Sequence, residues 1–290
     1  MKDFIIFTDS CADIPQDMVD ELDVKVIPMH FTIGGKTYLN YSDNHEMDPH
    51  VFYNKLRSGE QSSTSQINPD EFVKYWEPVL SGGSDILYIS FSSGLSGTYQ
   101  NSLIAKGMLA ESHPERRVEC FDSLCASFGE GLLVWYAANL MKSGKAMDDI
   151  ISWLTEHRLN LCHWFTVDDL GHLKRGGRVS AATALVGTML GIKPVLHVDD
   201  EGHLINMSKV RGRKQSLDAI VNKAVETIIN GSQQTVFVSH GDCPDEAEYV
   251  AQKLREKIGV ADIKTAYIGP VIGAHSGPGT MAVFFIGKER

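Results

Sequence analysis

The stretch Asp85–Ser102, DILYISFSSGLSGTYQNS, decides how the rest of the chain reads. Ile86 to Phe91 is a short apolar run rich in β-formers, preceded by Gly82-Gly83 and followed by Ser-Ser-Gly, which suits a strand buried on both faces. Ser92-Ser93-Gly94-Leu95-Ser96-Gly97 is a turn with two glycines and three hydroxyls. Thr98 onward predicts a helix with Leu103, Ile104, Met108 and Leu109 on one side. A strand that ends in Gly and Ser and then opens a helix leaves backbone N–H groups unpaired. Such a nest favours an anion, and the hydroxyls add donors. A plain turn with a helix cap accounts for the same residues. Both readings stand on this stretch alone.

Working outward, Phe4 to Phe7 reads as a buried strand followed by the polar turn Thr8-Asp9-Ser10-Cys11-Ala12-Asp13. Ile14-Pro15 opens a helix to about Leu22, Val24 to Met29 is a second strand, and Phe31 to Leu39 is a hairpin turning at Gly34-Gly35. A helix follows Asp48-Pro49, and the hydroxyl-rich run Ser62 to Gln66 is either a solvated loop or a second set of donors that converges with the Ser92-Ser93 turn. Downstream come a strand from Arg117 to Phe121, a mainly apolar helix from Ser127 to Met141 and an amphipathic helix from Met147 to Leu159. Strand and helix alternating in this way predict a mostly parallel, doubly wound sheet over residues 1–160.

The pattern changes near Asn160. Leu161 to Val167, Lys193 to Val198, His203 to Val210, Thr235 to His240, Ile263 to Ile268 and Met281 to Ile286 read as strands, with helices from Ser216 and from Pro244. Residues 161–290 are therefore expected to form a second α/β domain with a mixed sheet. Between its first strands, Val179 to Leu190 is an expected helix of small and apolar residues, suited to close packing or to a slender apolar ligand.

With 290 residues, 43% hydrophobic and 22% charged, the chain has material for about two domains with real cores. A formal charge of −10 argues against a general nucleic-acid or anionic-membrane binder. The five cysteines form no C-x-x-C pair and no zinc-site spacing, so no metal is expected and the thiols read as reduced. MKDFIIFTDS offers only four apolar residues before Thr-Asp-Ser, too few for a signal peptide, and no run is long enough to span a membrane. The expected location is cytoplasmic.

Walker, G-x-S-x-G and H-E-x-x-H motifs are absent. What remains is a set of groups suited to holding an anion. His275 sits in a glycine-dense segment, GAHSGPG, where backbone can approach a ligand closely. Two basic clusters, Lys174 to Arg178 and Lys209 to Lys214, stand out in an acidic chain as solvated faces or as a patch for phosphate or an acidic partner. Asp168-Asp169 reads most simply as a helix cap.

Eight motifs in order resemble the DegV family of bacterial fatty-acid-binding proteins. They are FTDSCADIP (Phe7–Pro15), TSQINP (Thr64–Pro69), SSGLSGTYQ (Ser92–Gln100), DSLCASFGEG (Asp122–Gly131), DDLGHLKRGGRVS (Asp168–Ser180), GIKPVL (Gly191–Leu196), KVRGRKQ (Lys209–Gln215) and IGPVIGAHSGPG (Ile268–Gly279). The resemblance implies two α/β domains with one long-chain fatty acid bound between them and no cofactor. It implies that the carboxylate is held by Thr64 and Ser93, with Ser65 and Ser92 adjacent, and by His275. The segment from Val179 to Leu190 would join the acyl tunnel. It also implies a partner, a separate fatty acid kinase that makes an acyl phosphate for phospholipid synthesis, with Arg178 and Arg211 as docking or phosphotransfer residues. On this reading the protein is a carrier and not an enzyme. Two alternatives are a small-molecule phosphotransferase or hydrolase using Ser93 and His275, and a regulatory module whose lipid is only a structural plug.

Overall fold

In a computed structural model of the protein, residues 3–179 and 191–290 are described. The N-terminal half runs β1 (Phe4–Asp9), α1 (Gln16–Leu22), β2 (Lys25–Ile27), β3 (His30–Ile33), β4 (Lys36–Leu39), α2 (Pro49–Arg57), β5 (Ser62–Ser65) and α3 (Pro69–Ser81). It continues through β6 (Asp85–Ser90), α4 (Thr98–Ala110), β7 (Val118–Asp122), α5 (Phe128–Lys142) and α6 (Met147–His157). The C-terminal half holds β8 (Leu161–Thr166), α7 (Leu170–Arg175), β9 (Ile192–Val198), β10 (Leu204–Arg211) and α8 (Arg213–Thr227). After these come β11 (Thr235–His240), α9 (Pro244–Ile258), β12 (Asp262–Tyr267), α10 (Pro270–Ser276) and β13 (Met281–Ile286).

The first sheet has the order β2-β1-β6-β7, and every neighbouring pair is parallel. Apolar clusters cover both its faces, which is why β6 is apolar along its length rather than alternating. The large sheet has the order β10-β9-β8-β13-β11-β12 and is mixed: β11 and β12 are parallel and the other pairs antiparallel. This is the α/β architecture expected from the sequence.

Helix α5 shows why the two sheets stay together. Phe128 to Val134, Ala137 and Ala138 are all buried, because one side of the helix meets the first sheet and the other meets the large one. Phe128 packs against Phe237 of β11 in a tilted ring pair with centroids 4.3 Å apart. A helix apolar all round needs cover all round, and here it has it.

Two local expectations change, and two segments whose local form the sequence leaves open are helical. The run Ser62 to Ser65 is a strand, β5, not a loop; it pairs antiparallel with β3, setting Thr64 opposite Phe31 and Ser65 opposite His30 in a small β4-β3-β5 sheet. Helix α4 buries Thr98, Ser102, Ala105 and Leu109, while Leu103, Ile104 and Met108 are exposed. The small side chains on the buried face let the helix approach its neighbours closely, which periodicity alone did not weigh. The segment around His275 is a helical turn, α10, opened by Pro270, rather than an irregular loop. Part of the basic turn from Asp168 to Arg178 is likewise helical, with Asp169 accepting from the Gly171 N–H at 2.7 Å as the cap of α7. Of the expected helix from Val179 to Leu190, Val179 is buried, and residues 180–190 lie outside the described residues.

Candidate functional site

The site begins with two side chains from opposite halves. Thr64 stands on β5, and His275 on α10; Thr64 Oγ1 and His275 Nε2 are 2.8 Å apart. The helix that carries His275 is fixed at its first turn by the N-terminal half. The Gly269 N–H donates to Asp13 Oδ1 at 2.9 Å, the Val271 N–H donates to Asn40 Oδ1 at 3.1 Å, and Tyr53 Oη donates to the Ile268 carbonyl at 2.8 Å. The first two bonds satisfy N–H donors at the start of the helix and the third satisfies a carbonyl just before it, so the N-terminal half fixes where α10 begins.

Burial, reinforced by the positive charge of Arg178, pushes the His275 imidazole down to about 4. It is neutral at physiological pH. With its proton on Nε2 it donates to Thr64 Oγ1, and the Thr64 hydroxyl proton is free for a third group. His275 Nδ1 is buried without a partner among the described residues. Gly176 explains how the ring fits, because a Cβ at that position would lie 2.2 Å from His275 Nδ1. Of the adjacent glycines of LKRGGR, Gly176 therefore serves the approach of α7 to α10, while Gly177 faces open space and has a positive φ of 69°. Arg178, just beyond, donates through Nε to the Leu95 carbonyl at 3.2 Å and through Nη1 to the Gly176 carbonyl.

A cavity of about 410 Å³ opens on one side of the Thr64–His275 pair. Its walls are largely apolar: Met29, Phe91 and Leu95 from one half, Phe165, Val198, Ile268, Val271 and Phe284 from the other. Its volume falls in the ~300–1,000 Å³ range of small-molecule sites. On the other side is a vestibule of about 530 Å³ lined by Glu60, Gln61, Ser62, Ser63, His172 and Arg175. Thr64, Arg178 and His275 line both chambers.

The serine turn borders the cavity at Ser96. Among the described residues, the cavity lining includes Ser65, Gln66, Ser96 and Gly97 but neither Ser92 nor Ser93. The fully buried Ser92 donates to the Gly202 carbonyl at 2.9 Å, tying the turn to the β9–β10 hairpin. The Ser93 N–H donates to Asp122 Oδ1 at 3.1 Å. Ser96 is within hydrogen-bonding distance of Thr98 Oγ1, at 2.9 Å, and accepts from the Thr98 N–H at 3.2 Å, immediately before α4. Position next to a helix start was the available signal for Ser96. Asp9 pins the turn from behind, accepting from the Phe91 N–H at 3.1 Å and from Tyr88 Oη at 2.7 Å. Arg211 is exposed on the edge strand β10 and lines neither chamber. Sequence reasoning also missed Asp13 and Asn40, whose contribution is to hold α10.

Buried acids lie behind the cavity wall. Asp13 accepts from Ser127 Oγ at 2.5 Å and from the Gly269 N–H, yet burial outweighs these bonds and pushes its carboxyl up to about 7. Burial also pushes Glu130 well above the ordinary carboxyl range; its Oε1 accepts from Thr8 Oγ1 at 2.8 Å. Among the described residues no group of acids, histidines and cysteines is arranged to hold a metal ion. No described helix is long and apolar enough to cross a membrane.

A model of the DegV family matches residues 3–288. The chain is 48% identical over its full length to a DegV domain-containing protein of Clostridium perfringens, covering 99% of that relative. Among solved structures, DegV of Bacillus subtilis, a fatty-acid-binding protein, is 30% identical, with 99% of this chain and 100% of that one covered at a TM-score of 0.85. A fatty-acid-binding DegV family protein from Thermus thermophilus is 29% identical, with 98% and 99% covered at a TM-score of 0.86. From its first described strand to its last, the chain belongs to the DegV family.

Proposed function

We propose that this chain binds one long-chain fatty acid between its two halves and presents the carboxylate to a separate fatty acid kinase. The acyl chain occupies the apolar cavity, and the carboxylate lies at the seam, taking hydrogen bonds from Thr64 and Ser96 with neutral His275 behind Thr64. The reading rests on one observation above the others. A hydroxyl–imidazole pair divides an apolar chamber from a polar one, with Arg178 facing both. That arrangement matches an amphiphile with one anionic end. The fatty-acid binding of the Bacillus subtilis and Thermus thermophilus relatives supports it.

Burial of an acyl chain contributes about 0.8 kcal/mol per methylene, so chain length dominates affinity. The polar groups then fix which end faces out. In the vestibule a carboxylate oxygen is positioned to attack the terminal phosphoryl group of ATP held by the kinase, forming acyl phosphate and releasing ADP. Arg178 at the opening and the exposed Arg211 are the residues we assign to the partner. This chain supplies orientation, and the partner supplies the chemistry. The carrier reading is favoured over the enzymatic alternative by the contact of the His275 imidazole with Thr64 rather than with Ser93.

Mass spectrometry of an organic extract of the purified protein is the test. A fatty acid at about one per chain, or uptake of added oleic acid to that ratio, is the expected result. An extract free of lipid from protein that also refuses added acid overturns the reading. Acyl phosphate formed only when a fatty acid kinase and ATP are both added tests the second half of it.

A further inference from the structure

Helix α10 turns residues Val271, Ile272, His275 and Ser276 toward the cavity, the spacing of one helical face. His275 accounts for the carboxylate end of a ligand, but Ser276 has no part in that scheme. Its side chain is 6% exposed, and its Oγ is buried with no hydrogen-bond partner among the described residues. Of the other hydroxyls of the cavity wall, Ser65 is on an exposed residue open to water, Thr64 meets His275, and the rest are engaged within the protein. Ser127 bonds Asp13 and Ser239, Thr280 donates to the carbonyls of Ser276 and Gly277, and Ser96 bonds Thr98. A helical serine ordinarily settles its hydroxyl on the carbonyl one turn back. Ser276 does not, which leaves its hydroxyl to a water or to a polar group of whatever fills the cavity.

We propose that the cavity accepts a long-chain acid bearing an oxygen on its chain, a hydroxyl or oxo group, and that Ser276 is the residue that recognises it. This rests on the fatty-acid reading above. A purely hydrocarbon chain leaves the Ser276 hydroxyl dry and unpaired, whereas a chain oxygen satisfies it. Sites that bond a ligand hydroxyl discriminate against the analogue lacking it, because the orphaned group is then left without water or partner.

The test is displacement of a fluorescent fatty acid from the full-length, delipidated protein. The competitors are stearic acid, a series of monohydroxystearic acids with the hydroxyl at successive chain positions, and an oxostearic acid. In the wild type, at least one oxygenated acid is expected to bind about fivefold to tenfold tighter than stearic acid, the worth of one buried hydrogen bond. Ser276→Ala is expected to erase that preference and leave stearic acid bound as tightly or more so. Stearic acid matching or exceeding every oxygenated acid in the wild type overturns the proposal by itself, whatever the variant does. Equal weakening of all acids in Ser276→Ala also overturns it and makes the hydroxyl a carboxylate donor. Failure of every acid, stearic acid included, removes the underlying fatty-acid reading as well, so the two failures are distinguishable.

Discussion

The two chambers on either side of Thr64 and His275 are similar in size, about 410 and 530 Å³, and opposite in character. The cavity is walled by strands of the large sheet on one side and by β5 and the turns beyond the first sheet on the other, and its lining is largely aromatic and aliphatic. The vestibule is walled by the glutamine-serine run that enters β5 and by the basic face of α7. Their shared wall is thin: Thr64 on β5 from one half of the chain, and His275 on α10 with Arg178 just beyond α7 from the other. The contrast teaches that affinity and orientation are separable here. The cavity supplies burial energy without regard to which end of a ligand enters, and the wall supplies polarity.

The largest effect that separates the chambers is expected on filling the cavity. Ala282 on β13 lines it opposite Phe165 in the β8–β13 register. Ala282→Phe displaces the burial of three or four methylenes at about 0.8 kcal/mol each, a loss of affinity of about a hundredfold for a long-chain acid. Arg175→Ala, on the exposed vestibule side, is expected to leave binding unchanged. Isothermal titration with oleic acid measures both, and equal losses in the two variants would mean that the acyl chain does not occupy the cavity.

The shared wall can be tested through the acid that holds it. Asp13 keeps its proton to about pH 7 in the folded protein, against an ordinary value of 3.8. The folded state therefore binds more protons than the unfolded state between those values. Stability from this group is complete below pH 3.8 and is lost as pH rises through 7. Asp13→Asn keeps an acceptor for the Gly269 N–H and removes the titration. Between about pH 5 and pH 8 the wild type should lose roughly 2 to 3 kcal/mol more stability than the variant in urea unfolding. Parallel pH profiles for the two proteins would mean that Asp13 ionises freely and that the α10 anchor is not buried as described.

Thr64→Val bears on orientation alone. It conserves shape and removes the hydroxyl that carries the polarity of the wall, so a free acid should bind about fivefold to tenfold more weakly. The methyl ester of the same acid, which has no charge to hold, should bind the variant and the wild type alike. A ratio of acid to ester affinity that does not move would detach Thr64 from the carboxylate.

Much of this was legible in the residues. The apolar run Ile86–Phe91 and the hydroxylated turn behind it announced a buried parallel strand and a polar loop at its end, and both are there. His275 was marked by the glycines of its own segment, GAHSGPG, whereas the glycine that makes room for its ring, Gly176, comes from a separate motif and was not read in that role. Other features could not be read. The serines of β5 carry no β-propensity, and only pairing with β3 makes a strand of them. The exposed Leu103, Ile104 and Met108 follow helical periodicity as well as the buried Ser102 and Ala105 do, so the pattern could not say which face the sheet would cover. Which serine of SSGLSG faces the cavity depends on the path of the turn, and Ser92 is engaged by the Gly202 carbonyl, a contact more than a hundred residues distant in sequence.

The smallest expected effect lies at the point where the two chambers meet. Burial is the larger cause of the low His275 value and the charge of Arg178 the lesser. Arg178→Gln removes the lesser cause and leaves the first, so the imidazole should titrate above the wild-type value of about 4 and still below 6.5. Histidine-selective NMR of the ligand-free protein resolves this. A value that reaches 6.5 would mean that the ring is solvated and the wall open to water. A value that does not move would mean that the guanidinium faces away from the ring. Only the intermediate result keeps a neutral donor and a fixed cation side by side at the seam, the pairing by which this wall can orient a carboxylate without itself changing charge.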